Sequence, residues 1–102
     1  MSNIASLHKA LVARVLEGDG QASASLRRSA FNNDGLEGPV RELVDKVVHK
    51  AYSVTDQDVA AVRAAGLSED AIFEIAVCAA IGQATRQYQT AMAVLDGVAS
   101  ES

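Results

Sequence analysis

A long segment without charged residues in the last third of the chain limits the available folds more than any other feature. No charged residue lies between Glu74 and Arg86, and apolar residues occupy nearly every side of the helix predicted around this segment. They are Ile72, Phe73, Ile75, Ala76, Val77, Ala79, Ala80 and Ile81. A helix that is apolar all round must be surrounded by packing partners. The rest of the chain offers only modest helices, so we expect a partner subunit to help cover it.

Spacings of three and four between apolar residues predict the other helices, and glycines mark where helices end. The predicted helices are about Asn3 to Glu17, a short helix capped by Ser25 that runs through Phe31, Pro39 to Tyr52, a short helix capped by Thr55 that closes at Gly66, and a long helix capped by Ser68 that runs to about Leu95. Turns are predicted at Gly18-Asp19-Gly20 and at Asn32-Asn33-Asp34-Gly35. No segment is typical of a strand. The sequence therefore predicts an all-α fold of four to five helices.

The helix that begins at Pro39 has one apolar and one charged face. Proline favours the first turn of a helix, because its missing N–H would be unpaired there anyway. The apolar stripe contains Val40, Leu43, Val44, Val47, Val48 and Ala51. On the other face, Glu42 with Lys46 and Arg41 with Asp45 are opposite charges four residues apart. Each pair stabilises a helix by about 0.2–0.5 kcal/mol at most.

The length and composition predict a single globular domain. The chain has 102 residues, of which 49% are hydrophobic and 22% are charged, and these are ordinary values for one globular domain. Within it, residues 1–35 form an N-terminal helix and connecting segment, residues 36–97 form the helical core, and residues 98–102 are predicted to be a frayed tail.

The charge balance argues against nucleic acid as a partner. Nine Lys and Arg residues face thirteen Asp and Glu residues, which gives a net charge of −4 and no general attraction to phosphate backbones. Residues 59–75 imitate a helix-turn-helix, but the second helix opens with Glu69 and Asp70. Those acidic residues would face phosphates, whereas a recognition helix needs side chains that read base edges.

Membrane segments and disulfides are also not expected. The residues from Met1 to Lys9 lack the apolar stretch of a signal peptide. The longest uncharged run is far shorter than the roughly 20 apolar residues that a membrane span needs. Cys78 is the only cysteine and cannot form a disulfide within the chain. We expect a cytoplasmic protein.

The candidate site residues lie on the last helix. Glu74, Cys78 and Arg86 are separated by multiples of four residues, so they share one slowly drifting stripe. In the functional interpretation they line a pocket between subunits, where Glu74 is the acid/base, Cys78 the thiol and Arg86 an anion anchor. Gln83 and Tyr88 are the further candidate ligand-binding residues.

A structural interpretation of the same residues stands beside the functional one. Cys78 lies in an apolar part of its helix with the anionic Glu74 one turn earlier, which predicts a raised thiol pKa and a buried core residue. Arg86 would then pair with an acidic residue, such as Glu74 or Glu42, across a helix interface. Gly82 costs about 1 kcal/mol relative to alanine in a helix interior, which predicts a close approach of another helix.

No metal or cofactor is expected. His8 and His49 lie on different predicted helices, each beside a lysine, whereas a metal site needs three or four convergent ligands. The sequence contains no glycine-rich phosphate loop and no nucleophile, base and acid arrangement of a hydrolase.

The segment from Val54 to Leu95 resembles the carboxymuconolactone decarboxylase-like and alkylhydroperoxidase D-like superfamily. The matching positions are Val54, Thr55, Asp56, Asp58, Val59, Arg63, Ala65, Gly66, Leu67, Ser68 and Glu69, followed by an alanine-rich helix that carries Arg86. The helix before this segment also resembles the family, so that the likeness covers more than half of the chain, but residues 1–35 lie outside it.

The resemblance implies an all-helical bundle whose subunits interlock as a homo-oligomer. The peroxidase members of the family work through a Cys-x-x-Cys pair with nearby Glu and His. This chain instead has Cys78-Ala79-Ala80-Ile81 in a different helix, so it resembles a short member that lacks the redox motif.

Two hypotheses about function follow. In the first, the chain is an oligomeric helical protein without peroxidase activity, which serves as a binding or assembly domain for a protein partner or a small anionic ligand. In the alternative, it is a small enzyme directed at a peroxide or at a lactone or acid. That enzyme would use Glu74, Cys78 and Arg86 in a pocket between subunits.

Overall fold

The computed structural model describes the backbone of residues 2–101 and the side chains of residues 6–97. Five α-helices follow one another along the chain, and no strand occurs in residues 2–101. They are α1 (Ser2–Glu17), α2 (Ala24–Asn32), α3 (Gly38–Lys50), α4 (Asp56–Ala64) and α5 (Glu69–Glu101), with a 3-10 turn at Ala51–Ser53 between α3 and α4. The predicted all-α fold is confirmed.

The start of α2 differs from the sequence prediction. Ser23, not Ser25, is the N-cap, and its hydroxyl accepts a hydrogen bond from the Leu26 N–H at 3.1 Å. The two serines are equally good caps by residue type, and only the path of the preceding loop selects the first. At the other end, Asn33 adopts a left-handed conformation with φ of 50°, which confirms the predicted turn after α2.

The predicted caps of α4 and α5 are confirmed. The Thr55 hydroxyl accepts from the Asp58 N–H, and the Asp58 carboxylate accepts from the Thr55 N–H at 2.9 Å, which forms a capping box. The Ser68 hydroxyl accepts from the Ala71 N–H at 3.1 Å. Both caps depend on contacts three residues apart, which a sequence pattern can reveal.

The ion pair expected between Glu42 and Lys46 is replaced by a tertiary one. The Lys46 ammonium contacts both Asp58 oxygens at 2.9 Å and so joins α3 to the start of α4. Together with the Thr55 N–H, this ammonium lowers the pKa of the Asp58 carboxyl below its ordinary value. The predicted pair of Arg41 and Asp45 is present at 3.9 Å on the exposed face of α3.

The core forms where the first part of α5 meets the other helices. Leu43 and Val44 of α3, Val62 of α4 and Ile75 of α5 are all at most 2% exposed. The remaining core residues are Ala22, Ala30, Leu36, Val40, Ala71, Ile72, Cys78 and Ala79. Ala51, which was expected in the apolar stripe of α3, is exposed because the helix has already given way to the 3-10 turn.

Helix α5 extends well past this core. It has 33 residues and continues to Glu101, beyond the predicted end near Leu95, and the molecule measures 54 × 28 × 21 Å. We call residues 69–86 the packed half of α5 and residues 87–97 its projecting half, since every residue from 87 to 97 is exposed. The side chains of the tail predicted at residues 98–102 lie outside the described part.

Every helix in the described part of the chain is too short or too polar to span a lipid bilayer.

Candidate functional site

A cavity of about 340 Å³ lies between α1, α2 and the packed half of α5. Its wall consists of Leu11, Arg14, Val15, Asp19, Arg27, Phe73, Glu74, Val77 and Cys78. The cavity brings together two of the five site residues predicted from sequence, Glu74 and Cys78. Gln83, Arg86 and Tyr88 do not line it. The five residues therefore do not form one site within a single chain.

Glu74 holds the loop between α1 and α2. Its two carboxylate oxygens accept hydrogen bonds from the Gln21 N–H at 2.9 and 2.8 Å, and one of them also accepts from the Ala22 N–H at 2.8 Å. Successive backbone N–H groups of a loop form a concave site for an anion, and here the anion is a side chain of the same protein. Gly20 allows this approach, since a Cβ there would overlap the Glu74 carboxylate.

Cys78 is enclosed by the cavity wall and the core. It is 1% exposed, and its Sγ lies 3.7 Å from the Val15 carbonyl oxygen, to which the thiol can donate. Burial raises the pKa of the Cys78 thiol above its ordinary value; the Arg27 guanidinium opposes this rise and the Glu74 carboxylate adds to it. Because the thiolate is the nucleophile, this environment favours the unreactive protonated form.

Arg86 binds a backbone carbonyl rather than a carboxylate. Its Nη1 donates to the Phe31 oxygen at 2.6 Å, and its Nη2 donates to the Gln83 Oε1 at 3.1 Å. The expected ion pair with Glu74 or Glu42 is therefore wrong. A cation at the last turn of a helix satisfies carbonyls that have no partner within the helix, and α2 ends one residue after Phe31.

Gly82 confirms the close approach expected from sequence. A Cβ at this position would overlap the Phe31 carbonyl, the same group that Arg86 binds. Gly82 and Arg86 lie one helical turn apart on α5, and together they fix the end of α2 against it. Gln83 completes this contact by orienting the guanidinium.

Tyr88 belongs to a second region, which lies between α1 and α5. Its ring stacks on the His8 ring with centroids 5.8 Å apart, and the Thr85 hydroxyl lies 3.2 Å from the His8 Nε2. A cavity of about 460 Å³ lies beside these residues. His8 is thus engaged with α5, and no group of three or more metal-ligating side chains occurs among the described residues.

Arg27 is the site residue that sequence reasoning missed. It is only 7% exposed, its Nη1 donates to the Val15 carbonyl at 3.1 Å, and its Nε has no hydrogen-bond partner among the described residues. A signal was available in the sequence: Arg27 precedes Ala30 by three residues and Phe31 by four, so that it shares their face of α2. An arginine on an inward face is an exception to the usual exposure of this residue type.

Comparison with known proteins returned no match to any family model, any curated protein or any solved structure. The resemblance to the carboxymuconolactone decarboxylase-like and alkylhydroperoxidase D-like superfamily therefore stays a prediction from the sequence.

Proposed function

We propose that this chain is a homo-oligomeric helical protein that serves as an assembly and binding domain and has no peroxidase activity. The observation that supports self-association is an uncovered apolar stripe along α5. We call it the α5 stripe, and it contains Phe73, Val77, Ala80, Ala84, Tyr88, Ala91 and Leu95. All of these residues except the half-buried Val77 are exposed in the single chain.

The α5 stripe has the geometry of a helix-packing surface. Its members are separated by steps of three and four residues, which keeps them on one face of the helix. At about 1.5 Å per residue, the stripe is about 33 Å long. It crosses both halves of α5, and Leu11 of α1 lies beside its first part, since Leu11, Phe73 and Val77 line the same cavity.

A second copy of the chain is the partner that suits this surface. No charged residue belongs to the stripe, and none occurs from Gln87 to Leu95, so a charged partner would find nothing to pair with. Ala80 and Ala84 at its centre would let another helix approach closely. Phe73 is 70% exposed, Tyr88 47% and Leu95 60%, and fully burying a large apolar side chain is worth about 1.5–3 kcal/mol.

Self-association is tested by light scattering after size-exclusion chromatography. We expect an oligomer for the unaltered chain at micromolar concentration, and dissociation to monomers in Ala84→Glu and in Ala91→Glu, which place a charge within the stripe. Ala93→Glu is the matched control, because Ala93 is exposed on the opposite side of α5. A monomeric unaltered chain, or equal dissociation in all three variants, would contradict the proposed assembly.

One observation favours the alternative of a small enzyme: Glu74 and Cys78 line the same cavity. Against it, the Glu74 carboxylate is bound by backbone N–H groups, the pKa of the Cys78 thiol is raised, and Arg86 binds the end of α2. These contacts support structural roles for all three residues. The cytoplasmic location and the lack of nucleic-acid partners stay predictions from the sequence.

A further inference from the structure

We propose that the cavity between α1, α2 and α5 binds a small organic monoanion with an apolar body, such as an aromatic or short alkyl carboxylate, and that Arg27 is its anion partner. One chain supplies every described residue of the cavity wall. Because Phe73 and Val77 belong both to this wall and to the α5 stripe, binding is measured in the Ala84→Glu background, where we expect a monomer. The site also differs from the anion anchor expected at Arg86, which lies elsewhere on α5.

Arg27 is a buried cation at the wall of this cavity. Arg27 as a whole residue is more than nine-tenths buried, its Nη1 donates to the neutral Val15 carbonyl, and its Nε has no hydrogen-bond partner within the described residues. No carboxylate forms an ion pair with it in that part of the chain. A buried cation is costly unless an anion compensates it, and a guanidinium offers a planar fork of donors that suits a carboxylate.

The other charged residues of the cavity wall do not neutralise Arg27, so a bound anion can do so. The Glu74 oxygens already accept bonds from Gln21 and Ala22, and Asp19 is exposed to solvent. Arg14 is an exposed second cation at the wall. With two acidic and two basic residues around it, the cavity suits a ligand of single negative charge better than a polyanion.

The apolar wall specifies the rest of the ligand. Leu11, Val15, Phe73 and Val77 line the cavity together with the buried Cys78. Its volume of about 340 Å³ lies near the lower end of the range of about 300–1,000 Å³ for small-molecule sites. An inorganic anion would leave this apolar surface unfilled, so the ligand needs an aromatic ring or a short alkyl chain.

Titrations of the isotope-labelled full chain followed by NMR test the ligand class. The probes are phenylacetate, hexanoate, the neutral alcohol 2-phenylethanol and inorganic phosphate. We expect saturable shifts of amides around the cavity with at least one of the two carboxylates, and at least tenfold weaker binding of the alcohol and of phosphate. Equal binding of the alcohol, equal binding of phosphate, or no saturable shift with either carboxylate would overturn the proposal.

Variants test the role of Arg27. Arg27→Gln should weaken carboxylate binding at least tenfold, whereas Arg28→Gln, the matched control, should leave it unchanged. Arg28 is the next residue of α2 but is exposed and pairs with Glu17 at 3.4 Å. Because loss of a buried arginine can prevent folding, Val77→Phe is the second variant. It fills the cavity, keeps both arginines and should abolish binding; unaltered affinity in Val77→Phe would also contradict the site.

Discussion

The two halves of α5 belong to one continuous helix, but they have opposite surroundings. In the packed half, Ile75 is fully buried and Cys78 is 1% exposed, and the end of α2 touches the helix backbone at Gly82. In the projecting half, every side chain is exposed, including large apolar ones such as Leu95. The difference shows that the chain has enough short helices to cover one end of α5 only.

The packed half of α5 holds the fold together, whereas the projecting half offers apolar surface for association with another chain. In the packed half, α5 contacts every other helix through buried apolar side chains. A few hydrogen bonds of polar side chains, such as those of Glu74 and Arg86, add to these contacts. The projecting half adds helix length and apolar surface, and Tyr88 at its start stacks on His8 of α1. Matched substitutions in the two halves should therefore affect stability very differently.

The largest expected difference comes from truncating one large apolar side chain in each half. Ile75→Ala should lower the free energy of unfolding by about 2–5 kcal/mol, because it leaves a cavity in the core. Leu95→Ala should change it by less than about 0.5 kcal/mol, as for other exposed sites. Urea denaturation followed by circular dichroism measures both values.

Self-association could hide this difference, since Leu95 belongs to the α5 stripe. Both truncations are therefore made in the Ala84→Glu background, where we expect a monomer. Similar losses of stability in the two variants would mean that the projecting half packs as tightly as the core.

Replacing one glycine in each half of α5 should change the stability of the fold by a smaller amount, but with opposite signs in the two halves. Gly82→Ala places a Cβ against the Phe31 carbonyl, and we expect it to destabilise the fold by about 1–3 kcal/mol, as overpacking does. Gly97→Ala meets nothing within 4 Å, and its better helix propensity should stabilise the chain by up to about 1 kcal/mol.

The two glycine variants are compared by thermal unfolding under identical conditions. Opposite signs are expected for one and the same chemical change. If Gly82→Ala were stabilising, α2 would not approach the helix backbone as closely as described, and the assignment of Gly82 and Arg86 as a joint anchor of α2 would be wrong.

The sequence predicted the features that depend on near neighbours along the chain. The caps at Thr55 and Ser68, the start of α3 within one residue of Pro39 and the close approach at Gly82 all follow from local patterns or residue type. The predicted N-cap of α2, Ser25, was wrong, because Ser23 caps this helix. A local pattern contained two acceptable answers, and the tertiary path decided between them.

The predictions that failed were mainly those of hydrogen-bond and ion-pair partners distant in sequence. Lys46 contacts Asp58 rather than Glu42, and Arg86 contacts a carbonyl of α2 rather than an acidic side chain. The burial of Arg27 was also missed. In each case a flexible charged side chain can reach several elements, and helix periodicity gives its face but not its partner.

The last comparison concerns the reactivity of a thiol in each half of α5, and it starts from the buried Cys78. Its thiol should stay unlabelled by a thiol reagent until the chain is denatured. The control is Ala93→Cys in a Cys78→Ser background, which moves the thiol to the projecting half and should react at the rate of a free exposed thiol. Reaction rates followed against pH measure both.

The free energy of unfolding of the unaltered chain should fall as the pH becomes alkaline, because of Cys78. Since burial raises the pKa of the folded thiol, the contribution of Cys78 to stability is fully present below the pKa of the unfolded thiol. It is lost as the pH rises through the folded value, so alkaline conditions should favour unfolding in the unaltered chain more than in Cys78→Ser. Fast labelling of native Cys78 below pH 7 would instead require a stabilised thiolate. A reactive thiol must be accessible, so that result would mean that Cys78 is as accessible as a thiol in the projecting half. It would favour the alternative of a small enzyme over a structural role for Cys78.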